Sequence, residues 1–463
     1  MPTTFDAIII GTGQAGPSLA RRLAASGLQV AIIERGRFGG TCVNTGCTPT
    51  KTLVASAYAA HMARRSLDFG VVVEGVVNVD MKRVKARKEY VVGLSSSGVE
   101  RSLKNLPNCR VYEGHAKFVS SRELQVAAET LAADKIFINV GGRASTPDIP
   151  GLGEIDYFTN STLLEIDFLP PHLLVLGGSY VGLEFAQIFR RFGSQVTVIE
   201  IGPRLIPRED EDVATAVSDF LGREGIAIRT GAKCLRVAKE RDEIVMTLSC
   251  EGPSEVRGSH LLVATGRRPN TDDLGLEAAG VDCDARGYII VDDELRTNVP
   301  NIWALGDCNG RGAFTHTSYN DFEIVAANLL GSARRQVTDR IPAYALYTDP
   351  PLGRAGMTEA EVRRSGRRAL VGKIAMEDVS RAFEKGETEG FMKIFVDAKT
   401  SEILGASFLG TSGDEAIHCV LDVMYARAPY TVLQRAMHIH PTVSEFIPAM
   451  LGDLVPLSEP LVR

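Results

Sequence analysis

The chain has 463 residues, of which 44% are hydrophobic and 23% are charged, and its formal net charge is -6. This length predicts about three domains, and the composition excludes a disordered, collagen-like or small disulfide-stapled protein. The apolar runs are too short to cross a membrane, and the basic residues form no concentrated patch for a nucleic acid or an anionic lipid surface. The amino terminus has no positive stretch ahead of an apolar one, so we expect a cytoplasmic protein whose partners are small molecules or proteins.

The first predicted element is a short buried strand at residues 7–10, followed by a glycine-rich turn, a helix over residues 18–26 and a strand at residues 30–33. The glycines of the turn and the acid after the second strand are Gly11, Gly13, Gly16 and Glu34. Glycines let a pyrophosphate approach the backbone, the helix amino terminus attracts its charge, and an acid about 20 residues on accepts a hydrogen bond from a ribose. This order predicts a dinucleotide site.

A cysteine pair follows directly. Cys42 and Cys47 are separated by four residues, a spacing that lets two sulfurs approach disulfide distance. A zinc site would need further ligands, and no second Cys or His pair at zinc spacing lies nearby; a pair of unreactive thiols is the other alternative. A helix is predicted after Pro49 with Lys51 one turn on, a setting that lowers a thiol pKa. We interpret the pair as redox-active in a reducing compartment.

The strand, turn, helix, strand and acid recur at an offset of 166 residues. The second copy has strands at residues 173–176 and 195–199 and a helix that ends at Arg191. Its glycines and acid are Gly177, Gly178, Gly182 and Glu200, with Ser179 in place of the middle glycine. In both copies the acid lies 23 residues after the first glycine. A matched repeat argues against glycines that only satisfy packing and predicts two bound dinucleotides.

Together with four further motifs, these features resemble the class I flavoprotein disulfide reductases, which include dihydrolipoamide dehydrogenase, glutathione reductase and mercuric reductase. The further motifs are at residues 181–184, 264–270, 301–307 and 440–445. The resemblance implies an α/β fold with two Rossmann-like dinucleotide-binding domains and a carboxyl-terminal α+β dimerisation domain. The expected limits are residues 1–148 and 268–340 for the FAD-binding domain, 149–267 for the NAD(P)-binding domain and 341–463 for the dimerisation domain.

The resemblance also implies the cofactor contacts. The residues expected to bind FAD are Gly11, Gly13, Gly16, Glu34, Gly40, Thr41, Lys51, Ala116 and Asp307. Those expected to bind NAD(P)H are Gly177, Gly178, Tyr180, Gly182, Glu200 and Gly266. Tyr180 would cover the nicotinamide pocket until the coenzyme enters, with packing in the core as the alternative. Lys51 is expected to pair with Glu184 beside the flavin, where a positive charge stabilises the reduced ring.

The choice between NADH and NADPH depends on Glu200, because a carboxylate there accepts from a ribose 2′-OH and repels a 2′-phosphate. This predicts NADH. Arg204 and Arg208 follow closely, and either guanidinium is able to bind a phosphate. NADPH therefore stays open as the alternative.

The last motif contains His440 and Glu445. By the resemblance, His440 is the acid–base residue, Glu445 orients its ring, and both serve the cysteines of the partner subunit in a homodimer. Cys47 faces the flavin and Cys42 attacks the substrate, so the expected catalytic set is Cys42, Cys47, His440, Glu445, Lys51 and Glu184. No resident metal is expected.

The substrate is expected to be a small disulfide or thiol, or an oxidised sulfur compound, and dihydrolipoamide is an alternative. The stretch around the cysteines is similar to the mercuric reductase branch, but the tail at residues 457–463 has no cysteine pair to deliver a metal. Mercury reduction is therefore a less favoured alternative. A flavoprotein that senses NAD(P)H without turnover is the alternative of another class.

Overall fold

In the computed structural model, residues 1–331 and 334–457 are described, and over these ranges the chain forms five β-sheets with helices packed on them. Residues 458–463 lie outside the described residues. They belong to the tail whose sequence has no cysteine pair to deliver a metal. Within the same ranges, none of the helices combines the length and the apolar character that crossing a membrane requires.

The strands, in chain order, are β1 (Thr3–Ile10), β2 (Val30–Glu34), β3 (Cys109–Glu113), β4 (Ala116–Phe118), β5 (Glu123–Val126), β6 (Glu129–Ile138), β7 (Gly142–Ala144), β8 (His172–Leu176), β9 (Gln195–Ile199), β10 (Ala227–Arg229), β11 (Lys233–Glu240), β12 (Glu243–Ser249), β13 (Glu255–Gly258), β14 (His260–Val263), β15 (Arg267–Pro269), β16 (Ile302–Ala304), β17 (Ala343–Leu346), β18 (Leu352–Gly356), β19 (Ala369–Ala375), β20 (Phe391–Asp397), β21 (Ile403–Leu409) and β22 (Val455–Pro456). The α-helices are α1 (Ala15–Ala25), α2 (Gly40–Asn44), α3 (Cys47–Arg64), α4 (Met81–Lys104), α5 (Asn160–Leu163), α6 (Tyr180–Phe192), α7 (Glu211–Arg223), α8 (Leu276–Ala279), α9 (Thr315–Leu330), α10 (Glu359–Arg364), α11 (Ser380–Glu384), α12 (Gly413–Tyr425), α13 (Thr431–Gln434) and α14 (Ile447–Gly452).

The amino-terminal sheet has the order β3-β2-β1-β6-β5-β4, and β16 pairs with the second half of β6. Strands β3, β2, β1, β6 and β16 are parallel to one another. Side chains of β1 alternate between two cores, since Ala7 and Ile9 pack with Leu19 of α1 while Ile8 and Ile10 pack on the opposite face. A parallel sheet covered on both faces binds ligands beyond the carboxyl ends of its strands. The first glycine turn, directly after β1, lies at that end.

The second glycine turn follows β8 in a parallel sheet of order β10-β9-β8-β14. An antiparallel sheet, β11-β12-β13, is inserted within the same part of the chain. Strands β7 and β15 pair antiparallel, with Arg267 opposite Ala144, so the chain leaves the first unit and returns to it side by side. The domain limits expected near residues 148 and 267 stay a prediction.

The carboxyl-terminal sheet is antiparallel, with the order β17-β18-β21-β20-β19-β22. Every residue of β18, β20 and β21 is buried. Helix α12 packs on β18 and β21. An α+β unit therefore follows the two sheets that carry the glycine turns, as the resemblance implies.

Two local expectations about helices are wrong. Helix α1 begins at Ala15 rather than at residue 18, directly inside the glycine turn. Helix α3 begins at Cys47, not after Pro49, because a proline in the first turn lacks an N–H that would have no partner there anyway. Cys42 lies in the separate short helix α2. The two cysteines are thus held by two separate helices.

Candidate active site

One cavity of about 1900 Å³ extends along both glycine turns and past both cysteines. Predicted residues that line it are Gly11, Gly13, Glu34, Gly40, Thr41, Cys42, Cys47, Lys51, Ala116, Gly177, Tyr180, Glu184, Glu200, Gly266 and Asp307. Gly16, Gly178 and Gly182 do not line it. The structure therefore brings both nucleotide motifs and the redox pair to one continuous space.

The first glycine turn leaves no space for a side chain at its glycines. Gly11 has φ of +105°, and a Cβ on it would lie 2.3 Å from the carbonyl oxygen of Asn139. A Cβ on Gly16 would lie 2.2 Å from the Gly11 oxygen, and one on Gly40 would lie 2.7 Å from the Gly13 Cα. Bare backbone from two segments thus forms one cradle. Such a cradle fits the pyrophosphate of FAD.

Glu34 holds this turn together through hydrogen bonds to its backbone. Its Oε2 accepts from the Thr12 backbone N–H at 3.0 Å, and its Oε1 accepts from the Gly36 N–H at 2.9 Å. On the other side of the turn, the buried Asn139 accepts from the Gly16 N–H at 3.1 Å and donates to the Leu305 oxygen at 2.9 Å. The sequence analysis missed Asn139, because an Asn after a buried strand has no distinctive spacing.

Three further predicted FAD contacts lie around this cradle. Asp307 belongs to a 3₁₀ turn after β16, and burial raises its pKa while Arg267, 3.7 Å away, opposes the rise. Thr41 directs its hydroxyl to the Gly142 oxygen at 3.4 Å, and Ala116 is buried at the start of β4. These positions agree with contacts to a ribityl chain and an adenine, and their roles stay a proposal.

The second turn repeats the first. Gly177 has φ of +115°, and a Cβ on Gly182 would lie 2.0 Å from the Gly177 oxygen. Glu200 accepts from the Gly178 N–H at 2.7 Å and from the Gly202 N–H at 2.7 Å. Gly178 and Gly182 thus serve the packing of the turn, while Gly177 faces the cavity. Gly266 also lines the cavity, with φ of +149°.

The two arginines considered for a phosphate differ in placement. Arg204 directs its Nη2 to the carbonyl oxygens of Pro207 and Glu209, at 3.5 and 3.3 Å. It does not line the cavity, whereas Arg208 and Lys233 do. Of the two candidates, only Arg208 is therefore placed to reach a bound nucleotide.

The two thiols have opposite acidities. Cys47 is the first residue of α3, where free backbone N–H groups favour a thiolate. The Cys42 thiol donates a hydrogen bond to Cys47, and this bond, followed by the Thr315 hydroxyl and the charge of Lys51, lowers the pKa of Cys47 to about 6 against the opposing effect of burial. The same hydrogen bond, together with burial, raises the pKa of Cys42 far above its usual range. The pair thus holds one thiolate and one thiol.

Thr315 is a site residue that the sequence analysis missed. It begins α9, and its hydroxyl lies 3.2 Å from the Cys47 sulfur although the two residues are 268 positions apart. No periodicity or motif of the sequence connects them. Only the packing of α9 against the start of α3 places a hydroxyl beside the thiolate.

Lys51 and Glu184 form an ion pair across two helices. The Lys51 Nζ lies 2.9 and 2.8 Å from the two carboxylate oxygens of Glu184. Glu184 also accepts from the Tyr347 backbone N–H at 3.1 Å, and the Tyr347 ring lies 4.5 Å from the Lys51 Nζ. The ammonium is therefore fixed on the cavity wall close to Cys47.

His440 and Glu445 do not line the cavity that holds the cysteines. The His440 Nδ1 contacts a Glu445 oxygen at 2.9 Å, and its side chain is 76% exposed. Its neighbours Met437 and Ile439 are also highly exposed. Glu445 thus orients the ring through Nδ1 and leaves Nε2 directed away from the carboxylate, in a loop that also exposes Met437 and Ile439.

Within residues 1–331 and 334–457 the structure has no group of three or more His, Cys, Asp or Glu side chains that could hold a metal ion.

The chain matches two family models. The model of the pyridine nucleotide-disulphide oxidoreductases covers residues 5–321, and that of their dimerisation domain covers residues 342–451.

Curated relatives span the full chain. It is 37% identical to the probable pyridine nucleotide-disulfide oxidoreductase RclA of Escherichia coli K12, over 98% of this chain and 99% of that protein. It is 34% identical to a dihydrolipoyl dehydrogenase of Thermus scotoductus, over 96% of this chain and 95% of that protein. It is 33% identical to a mercuric reductase of Streptomyces lividans, over 96% and 94%.

A solved structure of the HOCl-induced flavoprotein disulfide reductase RclA from Escherichia coli is also similar. It is 36% identical, covers 96% of this chain and 99% of its own, and gives a TM-score of 0.88. A Cu(II) complex of that reductase is 37% identical, with a TM-score of 0.87 over 97% of this chain and 99% of its own.

The unequal acidity of the thiols gives a first prediction. In the reduced protein, the rate at which iodoacetamide alkylates Cys47 should rise with pH around a midpoint of about 6. Cys42→Ala removes the strongest stabilising contact and should move that midpoint toward the value of an ordinary thiol, about 8.5. Thr315→Val should move it less. The measurement is peptide-level alkylation of Cys47 against pH by mass spectrometry.

Cys42→Ser is the matched control, because a serine hydroxyl still donates to the thiolate and should keep the midpoint below that of Cys42→Ala. If Cys42→Ala and wild type share one midpoint, the Cys42 hydrogen bond is not what stabilises the thiolate.

Proposed function

The chain belongs to the pyridine nucleotide-disulphide oxidoreductase family, and we propose that Cys42 and Cys47 are its redox pair and that it reduces a small disulfide or an oxidised sulfur compound. It is an FAD-dependent NAD(P)H oxidoreductase with a carboxyl-terminal dimerisation domain. The observation that carries the proposal is the stabilised Cys47 thiolate in the cavity that both glycine turns share.

FAD, held at the backbone cradle of Gly11, Gly13 and Gly40, would supply the chemistry that converts a hydride from NAD(P)H into an electron pair for the Cys42–Cys47 disulfide. The chain supplies the acceptor that fits this transfer. Cys47 lies beside the Lys51–Glu184 pair, so the sulfur released on reduction leaves as a thiolate stabilised by Thr315 and the α3 amino terminus. Cys42 receives a proton and becomes the thiol that faces the substrate.

The oxidative half of the cycle then needs a base. The pKa of the Cys42 thiol is raised while Cys47 is a thiolate, so Cys42 attacks only if another group takes its proton. Its sulfur then bonds to one sulfur of the substrate, and the second sulfur leaves with that proton as a thiol. Attack of Cys47 on Cys42 releases the other substrate thiol and restores the disulfide. One NAD(P)H and one proton thus yield two thiols.

We assign the base to His440 of the partner subunit. In this chain His440 lies outside the cysteine cavity, yet its ring is already oriented by Glu445 and its loop exposes Met437 and Ile439. An exposed apolar loop beside a polar side chain is typical of an interface that becomes buried. Each active site would then contain cysteines from one subunit and a histidine from the other.

NADH is the proposed coenzyme. Both oxygens of Glu200 are fixed by backbone N–H groups at the end of β9, which holds the carboxylate where a ribose 2′-OH would donate to it. Arg204 is directed to backbone carbonyl oxygens rather than to the cavity. Arg208 and Lys233 are the cations that would favour NADPH instead.

The relatives differ in their substrates, and these differences determine which candidate substrates must be assayed. Dihydrolipoyl dehydrogenases and mercuric reductases are both similar to this chain, and RclA has been solved with Cu(II). We favour a sulfur substrate because the Cys42 thiol needs a base for thiol–disulfide exchange, and the proposed dimer would bring it the oriented His440 of the partner subunit. A cytoplasmic location is part of the proposal, since a reducing compartment keeps the other cysteines as thiols.

The redox role predicts electron uptake beyond the flavin. In anaerobic titration with NADH, the wild-type holoenzyme should accept more than the two electrons that FAD takes, and Cys47→Ser should accept only those two. Disulfides, dihydrolipoamide with NAD⁺, Hg(II) and Cu(II) are then assayed in parallel. Two-electron uptake by the wild type would favour a sensor without turnover, and reduction of a metal ion alone would replace the sulfur substrate.

The shared active site predicts complementation. A heterodimer of a Cys42→Ser subunit with a His440→Ala subunit contains one intact site and should have about half of the wild-type activity, whereas each parent homodimer should have almost none. The assay uses heterodimers purified through two different tags. Inactive heterodimers would place the base within the same subunit or in another residue.

The coenzyme proposal predicts a higher kcat/KM for NADH than for NADPH. Glu200→Gln should narrow that preference by about 1–3 kcal/mol, because an amide loses both the charge and one acceptor. Glutamine is chosen because it keeps an acceptor for one of the Gly178 and Gly202 N–H groups, whereas alanine would release both. Arg208→Ala is the control, expected to weaken NADPH only. A wild-type enzyme that prefers NADPH tenfold would show that the cations decide.

A further inference from the structure

A fully buried ion pair joins the segment before α7 to strand β18. The Arg354 Nη2 and Nε lie 2.6 and 3.1 Å from the Oε2 of Glu209, and both side chains are 0% exposed. Arg354 also contacts Asp210, at 3.0 Å. Burying such charges is costly unless every donor and acceptor is used. The second carboxylate oxygen of Glu209 therefore also needs a hydrogen-bond donor.

That oxygen, Oε1, accepts a hydrogen bond of 2.8 Å from the Tyr180 hydroxyl. The Tyr180 ring also lies edge-on to Phe314 and Tyr344, with centroids 6.4 and 5.7 Å away. Burial and Glu209 raise the pKa of Tyr180, so its hydroxyl stays protonated and donates. The ring is held at its tip by the contacts of its hydroxyl with Glu209 and the Tyr344 hydroxyl, and along its edges by aromatic contacts.

Tyr180 occupies a decisive place in the cavity. It is the first residue of α6, directly after the second glycine turn, and Glu184 of the Lys51 pair is one turn further along the same helix. Tyr180 lines the same cavity as Gly177, Cys47 and Lys51. With its pyrophosphate at Gly177, a dinucleotide would pass Tyr180 as its reacting ring approaches Cys47 and Lys51, and this route rests on the proposed function.

We propose that Glu209 is a positioning residue that fixes the Tyr180 ring across this path, with Arg354 fixing the carboxylate in turn. The coenzyme must then displace an anchored ring. Its apparent affinity is the intrinsic affinity multiplied by the fraction of molecules in which the ring is not anchored. Glu209 acts through Tyr180 and does not touch the coenzyme. A strand of the carboxyl-terminal sheet thereby sets the affinity of the coenzyme site.

Two substitutions remove the anchor in different ways. Tyr180→Phe deletes only the hydroxyl and leaves the Arg354–Glu209 pair intact. In Glu209→Gln, the amide oxygen must face the two Arg354 donors, so the amide NH₂ faces Tyr180 and no longer accepts from it. Each holoenzyme is mixed with NADH anaerobically in a stopped-flow instrument, and flavin absorbance against NADH concentration separates the Kd from the limiting rate of reduction.

We expect the Kd of NADH to fall about tenfold in both variants, because a hydrogen bond to a charged acceptor is lost. The double variant should show no further fall, since both changes remove the same contact. Asp212→Asn is the matched control: it removes a carboxylate of α7 that pairs with Lys373 and Lys393 but does not touch Tyr180. It should leave the Kd unchanged even if it lowers Tm.

An unchanged Kd in Tyr180→Phe overturns the proposal, and so does a fall in Glu209→Gln that adds to that of Tyr180→Phe. A lower Kd in Asp212→Asn also overturns it, because a general loosening of the interface would then be the cause. If neither NADH nor NADPH reduces the wild-type flavin, the proposed function itself fails, and that outcome is distinct from all of these.

Discussion

A carboxylate buried between two nucleotide-binding units requires a cation, and Lys51 provides it. Glu184 is only 7% exposed in its side chain and comes from α6, whereas Lys51 comes from α3, the helix that Cys47 begins. Leaving such a carboxylate unpaired would cost several kcal/mol, so α3 and α6 are held in one fixed relation. The ion pair therefore relates the thiolate and the ammonium to the end of the second glycine turn. The proposed chemistry depends on that relation more than on any one motif.

The two glycine turns resemble each other more closely in their hydrogen bonds than in their amino-acid sequences. Glu34 and Glu200 each bind the N–H of the residue after the first glycine of the turn, and each binds the N–H two positions after itself. The acid thus fixes the glycine turn and is also a candidate partner of a ribose. This double duty explains why Ser179 is acceptable at the middle position. The turn is held by the acid and by the flanking glycines, not by the middle residue.

Much of this arrangement could be predicted from the sequence, because its signals are local. Fixed spacing identified both glycine turns, their acids and the cysteine pair, and the family and fold were confirmed by the comparisons. The start of α3 was predicted wrongly, since a proline reads as a break although the first turn of a helix tolerates it. Thr315 and Glu209 were missed for a different reason. Each contacts its partner through tertiary packing over 268 and 29 positions, with no pattern around it.

Strands β7 and β15 lie side by side, so the two ends of the segment between them are one strand spacing apart, about 4.8 Å. Residues 145–266 therefore stand where a simple hairpin turn could connect β7 to β15. An insertion of any length at this position leaves the pairing of β7 with β15 unchanged. The second copy of the strand, glycine turn and helix thus lies within a segment inserted between two paired strands of the first unit. If that segment binds the nicotinamide coenzyme as proposed, replacing it as one contiguous piece would change the electron donor and leave the first glycine turn in place.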